Sequence, residues 1–253
     1  MIYIKSSQEI EIMRQGGKIL ARVLQEIAAE VKIGVSLKYL NDLAEKLVLG
    51  YDAKPSFKGY KPAGAKKSYP ASLCISLNHE VVHGLPDERV LKEGDIVSLD
   101  LGVLYNGYHT DSAVTLGLGD ISRAAQELLL VTKGALDLAV SMVKPGVYWG
   151  DIASKIQHHV ESAKFSVVRE LTGHGVGRGL QEDPYLPNYG QPGDEPLLKE
   201  GMVIAIEPMV ALGRPEVKVG LDGFVYETRD QSLAAHFEHT VVVTSRGVDV
   251  LTK

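Results

Sequence analysis

Asp100 and Asp111 flank the dipeptide Asn106-Gly107 in IVSLDLGVLYNGYHTDSAVTL, residues 96–116. Asn-Gly between two strand-like runs predicts a hairpin with a two-residue type I′ turn. Tyr105 then faces Tyr108, which puts Asp100 opposite Ala113 and Asp111 opposite Gly102. Side chains alternate along a strand, so the two carboxylates share a face as diagonal neighbours about 7–8 Å apart at Cα. The same arithmetic puts His109 on that face, nearer the turn. Like charges aimed together repel, and in an apolar setting one of them takes up a proton. Cations between them would remove the conflict. Taken alone, the hairpin equally allows two solvated aspartates on an exposed face.

Two further acids fall in comparable settings. Glu207 ends the run Met202-Val203-Ile204-Ala205-Ile206, apolar on both faces and therefore a buried strand. A carboxylate there, followed by Pro208, needs a strong partner. Glu238 lies in AHFEHTVVVT, where His236, Glu238 and Thr240 share one face. LKEGDIVSLD, ending at Asp100, also matches LKEGMVIAIE, ending at Glu207, and VKIGV at 31–35 matches VKPGV at 143–147. The offsets, 107 and 112 residues, imply two similar halves. Chance similarity of two glycine turns is the competing explanation. If the repeat is real, the strands of Glu207 and Glu238 correspond to those of Asp100 and Asp111, and four carboxylates meet across a pseudo-twofold axis. His174, in LTGHGVGRG, is framed by glycines that leave its backbone free to be aimed. A lone histidine is more often structural than a ligand. Beside four carboxylates, imidazole completes an ordinary donor set for Mn, Fe, Co or Zn.

These residues need a scaffold. Ser6 with Glu9 predicts a capping box opening a helix, whose stripe is Ile10, Met13, Gly17, Leu20, Leu24 and Ile27. A second helix over about 36–49 turns Leu37, Leu40, Leu43, Ala44 and Leu47 inward, and helical patterns return at 122–142 and 149–163. Strands are expected at 73–76, 96–116 and 202–243. The Gly-, Pro- and Lys-rich stretch 55–70 reads as a loop. With 253 residues, the chain can bury roughly 70–75% of its unfolded surface without oligomerising, so a monomer is expected. Its net charge of −5 gives no basic footprint for DNA. A single cysteine, Cys74, suits a reducing compartment. No apolar run predicts a signal peptide or a membrane span, so a cytoplasmic location is expected.

At these residues the sequence resembles type I methionine aminopeptidases. The blocks are PSFKGY (55–60), YPASLCISLNHEVVHGLP (69–86), DLGVLYNGYHTDSAVT (100–115), TGHGVGRG (172–179), IEPM (206–209) and FEHTVVVT (237–244). The resemblance implies an α+β pita-bread fold, two pseudo-symmetric helix-helix-strand-strand halves around a central antiparallel sheet. It implies one catalytic domain over residues 1–253, removing the initiator methionine from the N-termini of nascent polypeptides. It assigns two divalent metal ions (Co, Mn, Fe or Zn) to Asp100, Asp111, His174, Glu207 and Glu238, with Asp111 and Glu238 bridging. His83 would contact the substrate backbone and Glu207 would serve as base, while Tyr69, Cys74, Leu180 and Phe224 would wall the methionine pocket. The crowding beyond that pocket favours small second residues.

Two departures stand out. Where the family usually has a second substrate-contacting histidine, this chain has Gln181, which can donate a hydrogen bond but cannot carry a proton in catalysis. Leu180 and Phe224 stand where Phe and Trp are common, which implies a reshaped pocket. The segment between Tyr60 and Tyr69 looks lengthened and places Lys58, Lys61, Lys66 and Lys67 near the pocket mouth. It is either a solvated loop or a transient ribosome contact, since RNA attracts lysine. The alternatives to methionine removal are an Xaa-Pro-type aminopeptidase of the same fold and a metal-free binding module on it. The short chain, without an extra N-terminal domain, favours methionine, and the complete ligand set argues against the module.

Overall fold

A computed structural model describes residues 1–62 and 66–253. The centre of the lysine-containing loop, residues 63–65, lies outside the described residues. Four helices, α1 (Ser7–Ala29), α2 (Leu37–Gly50), α3 (Arg123–Met142) and α4 (Trp149–Ser162), alternate in pairs with antiparallel strands. The Ser6–Glu9 capping box opens α1, with both reciprocal hydrogen bonds present. Helix α2 turns Leu37, Leu40, Ala44 and Val48 inward. Leu43 and Leu47 are only half-buried, so the inward face is rotated slightly from the expected one. The stretch expected as strand over 202–243 is divided into six short strands, from Val203–Ile206 to His239–Thr244. Proline and glycine turns interrupt it.

Among the described residues, the two largest hydrophobic cores lie one in each half. Leu20, Ile27, Leu37, Leu40, Val97, Leu99 and Leu118 belong to the first. Leu128, Leu136, Trp149, Ile156, Ile204, Ile206 and Val243 belong to the second. Each core packs a helix pair against its own sheet, the layered solution for amphipathic helices and a one-sided sheet. The main sheets have four strands in the first half and five in the second, and two three-stranded sheets flank them.

The repeated turns adopt the same geometry. Gly34 and Gly146 have φ of 87° and 84°, and Gly94 and Gly201 have 84° and 83°. The Gly34 N–H donates to Leu91 and the Gly146 N–H to Leu198, while Gly94 donates to Leu118 and Gly201 to Val243. Ser36 bridges Val90 as Tyr148 bridges Leu197. The repeat is therefore a structural duplication, and a chance match of glycine turns would not reproduce these partners.

The halves meet at a seam of reciprocal hydrogen bonds. The Asp111 N–H donates to Thr240 Oγ1 (2.8 Å), whose hydroxyl donates back to the Asp111 carbonyl (2.7 Å). Opposite it, the His236 N–H donates to Thr115 Oγ1 (2.9 Å), whose hydroxyl donates to the His236 carbonyl (2.7 Å). Between them, Ala113 and Glu238 exchange backbone hydrogen bonds of 3.4 and 3.0 Å. Thr115 and Thr240 are thus equivalent, as are Asp111 and His236, and as are Ala113 and Glu238. This corrects the simple form of the repeat: the acid-bearing strands correspond, but the counterpart of Asp111 is a histidine.

Candidate metal centre

The hairpin has the register that its turn dictates. Tyr105 pairs with Tyr108, Asp100 with Ala113 and Asp111 with Gly102. Asn106 and Gly107 hold the positive φ values, 47° and 85°, that a type I′ turn requires. His109 turns aside: its Nδ1 lies 2.9 Å from Ser56 Oγ. Asp100 and Asp111 are 8% and 5% exposed, which dismisses the solvated-aspartate alternative.

His174 sits in the strand Thr172–Gly175, paired with Ala205 on one side and Tyr185 on the other. Its flanking glycines answer to space rather than to backbone freedom. A β-carbon on Gly173 would lie 2.5 Å from the Ala205 carbonyl oxygen, and one on Gly175 would lie 2.2 Å from that of Asp183. The His174 Nδ1 is 2.9 Å from the Gly175 carbonyl oxygen, which can only accept, so Nδ1 carries the proton. The bare Nε2 faces Glu207 Oε1 at 3.4 Å. A lone pair opposite a carboxylate oxygen is repulsive unless a cation or a proton sits between them.

The electrostatics of the cluster repeat that conflict. Burial pushes the Asp100 carboxyl up to about 7. Asp111, Glu207 and Glu238 are pushed well above the usual carboxylate range, first by burial and then by the charges of their neighbours. Asp100 Oδ1, Asp111 Oδ1 and Glu238 Oε1 are buried without a hydrogen-bond partner. Each such atom costs about 1–3 kcal/mol, more when charged, so three in one place call for an explanation. Donor atoms of Asp111, His174 and Glu238 lie within 4.8 Å of one another. Carboxylate and neutral imidazole are the donors that divalent first-row ions take, and the orphaned atoms fit such a group.

Beside the acids stands His83, held at a φ of 61° with its ring edge-on to Tyr226, centroids 5.7 Å apart. Burial, and to a lesser degree nearby His174, lower its pKa to about 4, so the ring is neutral at physiological pH. The expected pocket walls come together: Tyr69, Cys74 and Leu180 pack in one cluster with Phe57 and Ala71, and Phe224 lies against it. Tyr69 meets Phe224 edge-on at 5.6 Å and anchors its hydroxyl to the Gly84 carbonyl at 2.7 Å. Cys74 pairs with Asp100 across the sheet, so the apolar pocket abuts the acids. Gln181 is exposed, and its Oε1 accepts from the Tyr60 hydroxyl at 3.4 Å.

Two points were not foreseen. Lys58 is paired with Glu45 at 2.6 Å. His236 joins the centre: it is 1% exposed, and its Nε2 lies 3.6 Å from Glu207 Oε2 and 3.8 Å from Glu238 Oε2. The alternation that puts it on the face of Glu238 was a sufficient signal in the sequence.

Comparison with known proteins agrees with this geometry. Residues 11–245 match the family described as metallopeptidase family M24. Methionine aminopeptidase 1 of Bacillus subtilis is 46% identical over 253 residues, covering all of both chains. The crystal structure of methionine aminopeptidase from Thermotoga maritima superposes with a TM-score of 0.96 at 44% identity, again over all of both chains. A prolidase from Pyrococcus furiosus shares the fold at a TM-score of 0.79 and 27% identity, but only 65% of that protein is matched. With full-length matches of this order to one branch, the chain belongs to metallopeptidase family M24 and, within it, to the methionine aminopeptidases.

Proposed function

We propose that the chain removes the initiator methionine from nascent polypeptides, as one catalytic unit over residues 1–253, with two divalent ions held by Asp100, Asp111, His174, Glu207 and Glu238. The observation that carries this reading is that donor atoms of Asp111, His174 and Glu238 lie within 4.8 Å of one another, with Glu207 at 3.4 Å from the bare His174 nitrogen and the Asp100 carboxylate buried with one oxygen unpartnered. When bound, divalent ions supply Lewis acidity and make water nucleophilic near neutral pH. The protein's own groups do the rest. Glu207 takes the proton of the attacking water and returns it to the leaving amine, a role suited to a carboxylate with a raised pKa. His83, neutral and aimed by its strained backbone, hydrogen-bonds the substrate backbone and the developing oxyanion. Gln181, beside Tyr60, supplies a further hydrogen bond without proton transfer. Tyr69, Cys74, Leu180 and Phe224 receive the unbranched, polarisable methionine side chain. Small second residues are preferred.

The test is release of methionine from Met-Ala-Ser with Mn(II), Co(II), Fe(II) or Zn(II) added, beside an Xaa-Pro dipeptide. Cleavage of Met-Ala-Ser that a chelator and Glu207→Ala both abolish is expected. Preference for the Xaa-Pro peptide, or full activity of Glu207→Ala, would overturn the assignment. Fewer than one ion bound per chain would point to the binding module instead.

The place of work on this reading is the cytoplasm, with the enzyme acting as a monomer. Among the described residues no helix is long and apolar enough to cross a membrane. Transient ribosome contact is supported by the exposed Lys61, Lys66 and Lys67. Their replacement by glutamate is expected to weaken ribosome co-sedimentation, and unchanged co-sedimentation removes the idea.

A further inference from the structure

Glu207 divides its two oxygens between two histidines. Oε1 lies 3.4 Å from His174 Nε2, and Oε2 lies 3.6 Å from His236 Nε2. The two contacts differ in kind. His174 spends its proton on the Gly175 carbonyl, so its Nε2 meets Glu207 as a lone pair, the arrangement of two donors with a cation between them. His236 makes no such commitment: neither of its ring nitrogens has a hydrogen-bond partner, although the residue is almost wholly buried. Its backbone is clasped on both sides by Thr115, which fixes where the ring points. It points between Glu207 and Glu238, two acids that repel each other.

We propose that His236 is a positioning residue of the metal centre, whose Nε2–H reaches Glu207 Oε2 and so leaves Oε1 for the ion shared with His174. The 3.6 Å separation is just beyond hydrogen-bond length, a gap that a small turn of the Glu207 carboxylate would close. Such a donor also lessens the repulsion between Glu207 and Glu238, which favours loading of the centre. Partners behind metal ligands typically change metal affinity by about 10–100-fold. This inference rests on the metal reading given above and adds to it a residue outside the five ligands.

The experiment is calorimetric titration of the full chain with Mn(II), comparing wild type with His236→Gln, which keeps an N–H donor, and His236→Leu, which has none. Leucine is expected to weaken binding about 10–100-fold. Glutamine should stay within about 3-fold of wild type, below that range. Equal affinity of wild type and a folded leucine variant overturns the proposal, as does a glutamine variant as weak as the leucine one. Because the leucine variant could fail to fold, the second measurement uses the wild type. Imidazole nitrogen NMR of the Zn(II)-loaded chain should show the His236 proton on Nε2. A bare, metal-bound Nε2 would overturn the proposal by making His236 a ligand. Failure of the wild type to bind Mn(II) at all would instead sink the metal reading itself, and this proposal with it.

Discussion

The two halves of the chain share a backbone plan and load it with different side chains. Their glycine turns and clasped strands share hydrogen-bond partners at equivalent places, down to Thr115 and Thr240. At equivalent places, however, Asp100 answers to Glu207, Asp111 to His236 and Ala113 to Glu238. Glu238 thus stands at the seam itself, where the strands of both halves exchange hydrogen bonds, and can serve acids from either side. Backbone symmetry supplies a rigid cradle with two walls, and the chemistry comes from where the side chains break that symmetry. A fully symmetric version would carry alanine at the seam and lose the carboxylate that lies closest to the axis.

That comparison is easiest to break at its centre. Glu238→Ala makes the second half match Ala113 and should lower kcat/KM for Met-Ala-Ser about 10²–10³-fold, the range for losing a principal electrostatic stabiliser. Activity within tenfold of wild type would mean that the seam acid is dispensable.

The next effect is on metal-free stability. Asp100 is raised to about 7 in the folded chain, and Asp111, Glu207 and Glu238 are raised as well. Between the unfolded carboxylate pKa of about 4 and the folded values, the native state holds more protons than the unfolded one. The site's contribution to stability is therefore present below pH about 4 and is lost as pH rises through about 7. Metal-free wild type should lose, relative to Asp100→Asn, on the order of a few kcal/mol between those limits. Urea melts at each pH will show whether the gap opens in this direction.

Thr115→Val and Thr240→Val offer a matched pair. Each leaves a buried N–H and a buried carbonyl unsatisfied, so each should cost about 1–3 kcal/mol in urea unfolding. Their equivalence predicts similar losses of stability. Metal affinity should fall further in Thr240→Val, because that hydroxyl clasps the ligand Asp111. Wild-type affinity in both variants would imply that the clasps hold the fold alone.

The smallest test lies at the helix starts. Ser36 caps α2 through its side chain, whereas its counterpart Tyr148 gives α4 no side-chain cap. Tyr148→Ser should stabilise the chain by about 1 kcal/mol and Ser36→Ala should destabilise it by about as much. In a chain of this size that is a Tm shift of about 2–4 °C in either direction.

What could be read in advance followed from local rules. Asn106-Gly107 allows one turn geometry, so the positions of Asp100 and Asp111 reduce to counting. The capping box at Ser6 is equally local. The partnership of Asp111 with His236 was beyond counting, because the second pair of acids is separated by a connection of no fixed length, from Met209 to Ala235. No turn rule sets its register, and only the threonine clasps reveal it. The direction of the His174 ring was hidden for a related reason: it depends on which carbonyl its Nδ1 finds, and this is a tertiary fact. The glycines beside it were legible as residues, but their cause, close strands on both sides, was not.

The seam also sets an order in time. Asp100 and Glu238 are separated by 138 residues, so the two halves of the site leave the ribosome at different times. During synthesis at about 5–20 residues per second, the first half can pack its own core well before the second exists. Until the segment bearing His236, Glu238 and Thr240 emerges, Asp111 has neither its clasp nor its partners, and the hairpin offers only two acids that repel. The centre is thus completed only once the strands of the second half that carry these residues have been made. A chain interrupted between Pro208 and Ala234 retains four of the five candidate ligands but no assembled centre.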